Sequence, residues 1–238
     1  EIGIWIGYES HPLITNSTSS YNSNGIHCTQ FSNPILIDVI LRGNIGDGNP
    51  GGGFYAGTGS SPVLKRVTII NNQAGGNGGG GVYIGGSSNA TLDSVSITGN
   101  STTVLGGGIR VSGFSTITAT RSEINNNSSP NNAGSYLGEP GSAANFTQCT
   151  INNGGIYLQG HNEWNTGATF NNSIVWESPI HTEANSDIHV TYSLLQGGEE
   201  GVTGDVSGSS FTSVIDEDPL FTDSASGDLS LTDTSPCI

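Results

Sequence analysis

A glycine followed by an apolar residue recurs along the chain. It stands at Gly3-Ile4-Trp5, Gly25-Ile26-His27, Gly53-Phe54-Tyr55, Gly81-Val82-Tyr83, Gly108-Ile109-Arg110 and Gly155-Ile156-Tyr157, with a weaker copy at Gly134-Ser135-Tyr136. In chain order these glycines are 22, 28, 28, 27, 26 and 21 residues apart. Self-similarity at such a period means one supersecondary unit per interval. Each unit has the same interior order. A short turn such as Ser60-Ser61-Pro62 leads to a second strand, as at Ile35–Ile37, Val63-Leu64, Thr91-Leu92, Thr116–Thr118 and Asn145–Thr147. A third follows at once, as at Val39–Leu41, Val67–Ile69, Val95–Ile97, Ser122–Ile124 and Cys149–Ile151. Three short strands per coil, alternating apolar and polar, give a three-sided prism with the apolar positions inside.

The third strand of successive units ends near an asparagine: Asn44, Asn72, Asn100, Asn127 and Asn153. Stacked one strand spacing apart, about 4.8 Å, these amides form a hydrogen-bonded ladder, so their expected role is structural. The connection from this asparagine to the next glycine varies in length and bulges from one edge. Its glycine-rich segments are followed by neither Lys-Ser nor Lys-Thr, which excludes a nucleotide-binding loop. The outward position of the third strand reads Thr68, Ser96, Glu123, Thr150. The glutamate interrupts any regular hydroxyl array there of the kind that orders ice.

Composition agrees with strands and tight turns. There are 37 glycines, no methionine and 11% charged residues. Twenty acidic against five basic side chains give a net charge of −15, which repels phosphate backbones and anionic lipid. Nucleic acid is therefore not an expected partner. No apolar run is long enough to cross a membrane, so insertion is not expected either. Cys28, Cys149 and Cys237 fit no metal or redox spacing and cannot all pair with one another; Cys28 and Cys149, several coils apart, are expected to be buried thiols. The start within a strand-like run, without an initiator methionine, suggests a mature product or a piece of a longer chain.

This rhythm resembles the right-handed parallel β-helix proteins of the pectate-lyase-like superfold. The resemblance implies an all-β solenoid of roughly eight coils with three short strands each. The C-terminal third carries a second resemblance. Asn172–Trp176, Tyr192–Gly197, Asp218–Phe221, Gly227–Leu231 and Ser235–Ile238 are similar to the tail of large bacterial surface β-helix proteins with a variable anchor. It implies export and display, hence an extracellular or cell-surface location. The expected organisation is a solenoid over 1–215 and a capping segment over 216–238. Leu220, Phe221, Leu229, Leu231 and Ile238 would cover the last coil, because an open strand edge pairs with other chains.

Four groups are candidates for chemistry. Asp38, Lys65, Arg66 and Asp93 fall at coil spacing and would stack as opposite charges on one face. A structural charge ladder is the expected reading, yet a polysaccharide lyase or glycoside hydrolase of this fold would place its acids and bases together in the same way. His161, Glu163 and Trp164 share a polar loop in which the indole could hold a sugar ring or dock the loop. Asp216, Asp218 and Asp223 could hold Ca²⁺; no other cofactor is expected. The leading expectation is a non-catalytic structural or adhesive module (stalk, adhesin or extracellular filament subunit) that meets glycans or its own copies end to end. The alternative is a polysaccharide-processing enzyme acting on the charged face.

Overall fold

The computed structural model describes residues 1–46, 48, 50–130 and 133–238. Their strands wind into nine coils around one core. The first strands form a nine-stranded parallel sheet: Ile2–Ile6, Asn24–Cys28, Phe54–Ala56, Val82–Ile84, Ile109–Val111, Tyr136–Gly138, Ile156–Leu158, Ile180–Thr182 and Val202–Gly204. The second strands form another nine-stranded sheet, from Leu13–Thr15 to Ser210–Thr212. The third strands form an eight-stranded one, from Thr18–Ser20 to Leu194–Leu195. The ninth coil exceeds the roughly eight expected, because Gly197–Ser210 reads as loop in the sequence. Its strands, Val202–Gly204 and Ser210–Thr212, are glycine- and serine-flanked and hold their place through pairing with the coil before.

Register sorts the side chains into columns. Leu36, Leu64, Leu92 and Ala119 are successive partners in the second sheet; Leu41, Ile69, Ile97, Ile124 and Ile151 are partners in the third. All are buried. Further along the second sheet Phe146 and Phe170 continue the stack, their rings parallel and 5.0 Å apart. Each such side chain contributes about 1.5–3 kcal/mol when fully removed from water.

The corner between the second and third sheets is a single left-handed residue. Asp38, Arg66, Ser94, Arg121, Gln148 and Asn172 all have φ between 46° and 60° there. Such backbone costs an L-residue roughly 1–2 kcal/mol. Coil-to-coil hydrogen bonds oppose the cost, as when Arg66 N–H donates to the Asp93 carbonyl at 2.9 Å and Arg121 N–H to that of Thr147 at 3.0 Å.

The asparagine ladder lies at the next corner. Asn44 donates its backbone N–H and its amide to Oδ1 of Asn72 at 3.0 and 2.8 Å. Asn72 repeats this toward Asn100, and Asn100 toward Asn127. Two details differ from the sequence reading. The ladder begins one coil earlier, with Asn22 N–H donating to Asn44 Oδ1 at 3.0 Å. It ends at Asn127, because Asn125 pairs with Asn152 and the ladder position of the next coil is therefore Gly154. Asn153 instead stacks on Asn126; both are left-handed turn residues, at φ 46° and 53°, and their exposed amides bond at 2.5 Å. A serine ladder at the first corner was not anticipated. Ser32, Ser60 and Ser88 donate their N–H groups to the hydroxyls of Ser60, Ser88 and Ser115.

The segment expected to close the end of the solenoid lies along its flank. Phe221–Asp223 and Asp228–Leu231 form an antiparallel hairpin. Asp228–Ser230 faces Arg121–Glu123 and Gln148, while Leu231 and Pro236–Ile238 face Thr150, Ile174 and Ile215 across a cleft of about 490 Å³. None of the five apolar residues expected to form the cover is buried, and Ile238 is 81% exposed. The physical reason is that Ile215 still bridges Leu194, continuing the third sheet, before the Asp218-Pro219 turn sends the chain sideways.

The ladder carries a direct test. Asn72→Ala leaves the buried N–H and amide of Asn44 without their acceptor and is expected to cost about 2–4 kcal/mol in urea unfolding. Asn153→Ala, on the surface, is expected to change stability by less than about 0.5 kcal/mol.

Candidate functional site

One position of each first-sheet strand forms a column: Trp5, His27, Tyr55, Tyr83, Arg110, the buried Leu137, Tyr157, His181 and Thr203. The imidazole of His27 stacks on Tyr55 at 4.2 Å between centroids, and Tyr55 on Tyr83 at 5.4 Å with the planes 8° apart. The Arg110 guanidinium follows, 5.6 Å from the Tyr83 centroid. A cation over an aromatic face is attracted by the ring quadrupole. Tyr157 and His181 form a second stack at 5.1 Å.

Glycines two residues downstream make this geometry possible. A methyl group on Gly57 would sit 2.3 Å from the Tyr55 hydroxyl, and one on Gly85 would sit 2.6 Å from the Tyr83 ring. Each ring therefore lies along its own strand, with its faces turned to the coils on either side. The rings are half-buried, and the hydroxyls of Tyr83 and Tyr157 are engaged by Ser112 and Glu183.

Arg110 anchors the middle of the face. It pairs with Glu139 and donates to the carbonyl of Asn77, and both charged side chains are mostly buried. Tyr157 donates to Glu183, which also accepts from Gly160 N–H at 2.9 Å. Burial and the Glu183 carboxylate push the Tyr157 phenol up to about 12. Burial holds the His27 imidazole below its ordinary value of 6.5, so it stays neutral in the stack.

The loop candidates are partly united. His161 stacks on Trp164 at 4.4 Å, and Trp164 meets Phe114, two coils earlier, edge to face at 5.2 Å. Glu163 contributes its backbone N–H to His161 Nδ1 at 3.2 Å. The indole thus docks the loop while remaining 42% exposed.

The charged residues sit elsewhere, at the second sheet and its corner. Asp38 and Arg66 form a two-pronged pair at 2.7 and 2.9 Å. The Arg66 hydrogen bond pulls the Asp38 carboxyl below its usual range. Asp93 pairs with Lys65 in register and forms an ion pair with Arg121. Desolvation pushes the Asp93 carboxyl up, but hydrogen bonds from Ser94 and Arg121 and the charges of Arg121 and Lys65 leave it lowered. Arg121 is one position out of register with Asp93, since Thr120 is the strand partner, and reaches across by its length. These pairs are exposed and each contributes about 0–1 kcal/mol.

The three tail carboxylates are not brought together. Asp216 accepts from Gly197 N–H, Asp218 from Leu220 N–H and Asp223 from Ser226 N–H. Among the described residues, no cluster of three or more His, Cys, Asp or Glu side chains is arranged to hold a metal ion. Cys28 and Cys149 are buried thiols, both pushed up to about 11 chiefly by desolvation.

The aromatic column was present in the sequence as the third residue of each Gly-apolar repeat. Read for fold, that position only marked the strand; reading it down the register shows the stack. Residues 3–195 match the family described as right handed beta helix region, and the chain belongs to that family. No curated protein and no solved structure matches the chain.

His27 makes the face pH-sensitive. Its folded-state pKa is depressed, so its contribution is complete above about pH 6.5, the unfolded value, and is lost as pH falls through the folded value. The urea midpoint of the wild type is expected to decline across that window, and His27→Phe, which keeps the stack, is expected to reduce the slope.

Proposed function

We propose that this chain is a non-catalytic β-helix module, secreted or displayed at the cell surface, that serves as a stalk, adhesin or filament subunit and holds glycans along its aromatic side. The observation that carries this reading is the use made of three of the five basic residues. Arg66, Arg110 and Arg121 are each tied to a carboxylate, and two of these pairs involve the acids that an enzyme on the charged corner would need. In contrast, the rings of the first sheet stand in two stacks, His27–Tyr55–Tyr83 and Tyr157–His181, along one line of the solenoid, an arrangement that suits an extended saccharide. The resemblance of the last third to exported surface proteins supports the location.

The ends support a second mode of contact. The strands Ile2–Ile6 and Val202–Gly204 each have one neighbour in the first sheet. An end strand that has no further neighbour accepts another strand, and a head-to-tail contact that does not close builds a filament.

Affinity retention on immobilised neutral and acidic polysaccharides tests the glycan reading. Wild-type chain is expected to be retained, with the polymer unchanged in size, and a Tyr55→Ala/Tyr83→Ala variant to elute early. Equal retention of wild type and variant, or no retention on any polymer, would remove the aromatic face from the account.

A further inference from the structure

The second sheet carries a different surface. From the fifth coil on, its outward residues include a column at the strand starts, Thr116, Ala143, Gly167 and Asp187, and two further columns free of charge. One reads Thr118, Asn145, Thr169, His189, Ser210, and the other reads Thr120, Thr147, Asn171, Thr191, Thr212. Seven of these ten residues carry hydroxyls, and none is Asp, Glu, Lys or Arg, in a chain of net charge −15. All ten are exposed or half-buried. Bonds along the columns hold the pattern: Asn171 donates its amide to Thr191 Oγ1 at 2.9 Å, and His189 Nδ1 meets Ser210 Oγ at 2.8 Å.

From this lattice we infer that the second sheet is an ice-binding face, its partner being the ordered water of a crystal surface. The argument is one of spacing. Neighbouring strands repeat every ~4.8 Å, and outward residues along a strand every ~6.6 Å. In ice each oxygen has tetrahedral neighbours about 2.75 Å away, and that geometry alone sets repeats of about 4.5 Å and about 7.3 Å. The two lattices agree to within about a tenth in each direction. Over five coils the mismatch along the axis accumulates to about 1.2 Å, less than half a repeat.

Three features make the match usable. Register runs without a shift from coil to coil across these five strands, so equivalent residues stay in line down the sheet. Threonine is stiff at χ1, so its hydroxyl and methyl are already positioned and lose little freedom on contact. The uncharged columns hold no ion whose hydration shell the ice lattice would have to strip. The third sheet, interrupted by Glu123, has no such array. This inference goes beyond the glycan reading, uses another face of the solenoid and stands whether or not that reading does.

The test is ice recrystallisation inhibition, with the gap between melting and freezing points, measured on the purified chain at micromolar concentration. Wild type is expected to arrest crystal coarsening and open a gap. Thr118→Lys/Thr147→Lys is expected to abolish both, and Thr68→Lys on the third sheet to leave both unchanged. Circular dichroism melting of each variant shows that the fold is retained. Absence of any effect on ice by wild type, or equal activity in the double variant, overturns the inference. So does capture of insoluble neutral polysaccharide by the second sheet without an effect on ice, which would assign the face to another lattice.

Discussion

Every column in this molecule depends on one constraint, the parallel hydrogen-bonded register between one coil and the next. Because each strand pairs with the strand about one period away, a residue's neighbours are set by the repeat length. The pairing chooses between alternatives that differ by one residue. Asn127 and Asn153 show the consequence: a coil offset of 27 at Asn125–Asn152 moves Asn153 out of the buried ladder and onto the surface. The same constraint makes left-handed corners tolerable for Asp38, Arg66 and Arg121, since the coil-to-coil bond at each corner opposes the backbone cost.

Two kinds of surface follow from that register. Where outward residues are aromatic and followed by glycine, the rings fold down along the strand and stack between coils, as from His27 to Tyr83. Where they are mostly threonine, serine and asparagine, they form two uncharged columns on the second sheet. The ionic groups have a third role. Asp38–Arg66 and Asp93–Arg121 link coils at an exposed corner and contribute little energy, whereas Arg110–Glu139 is largely withdrawn from solvent beside the Tyr83 ring. Breaking that buried pair from one side would strand a charge, which is the costly case.

Most of the fold was legible because inward positions are apolar at a near-constant interval: Leu64, Leu92 and Ile69, Ile97 announce their columns without any structure. The polar ladders were legible only in part. Asn44, Asn72 and Asn100 stand at even intervals, while Asn22 falls in a shorter coil; Ser32, Ser60 and Ser88 are as evenly spaced, but serine is too common in the turns of this chain to mark them out. The last coil and the tail were less readable because Val202–Gly204 has no apolar alternation, and because nothing in Leu220, Phe221 or Ile238 tells whether they cover an end or a flank. The candidate face was hidden for another reason. Trp5, His27, Tyr55 and Tyr83 differ in kind, and only the register shows that they share one column.

The proposal that this solenoid holds ligands without transforming them is tested most directly at the charged corner. Acidic polysaccharides incubated with the purified chain, with and without added Ca²⁺, should be followed for new reducing ends and for unsaturated sugar products. The account predicts neither product, from wild type and from Lys65→Met/Arg66→Met alike. Product formed by wild type and lost in that variant would contradict it and make the corner an active site.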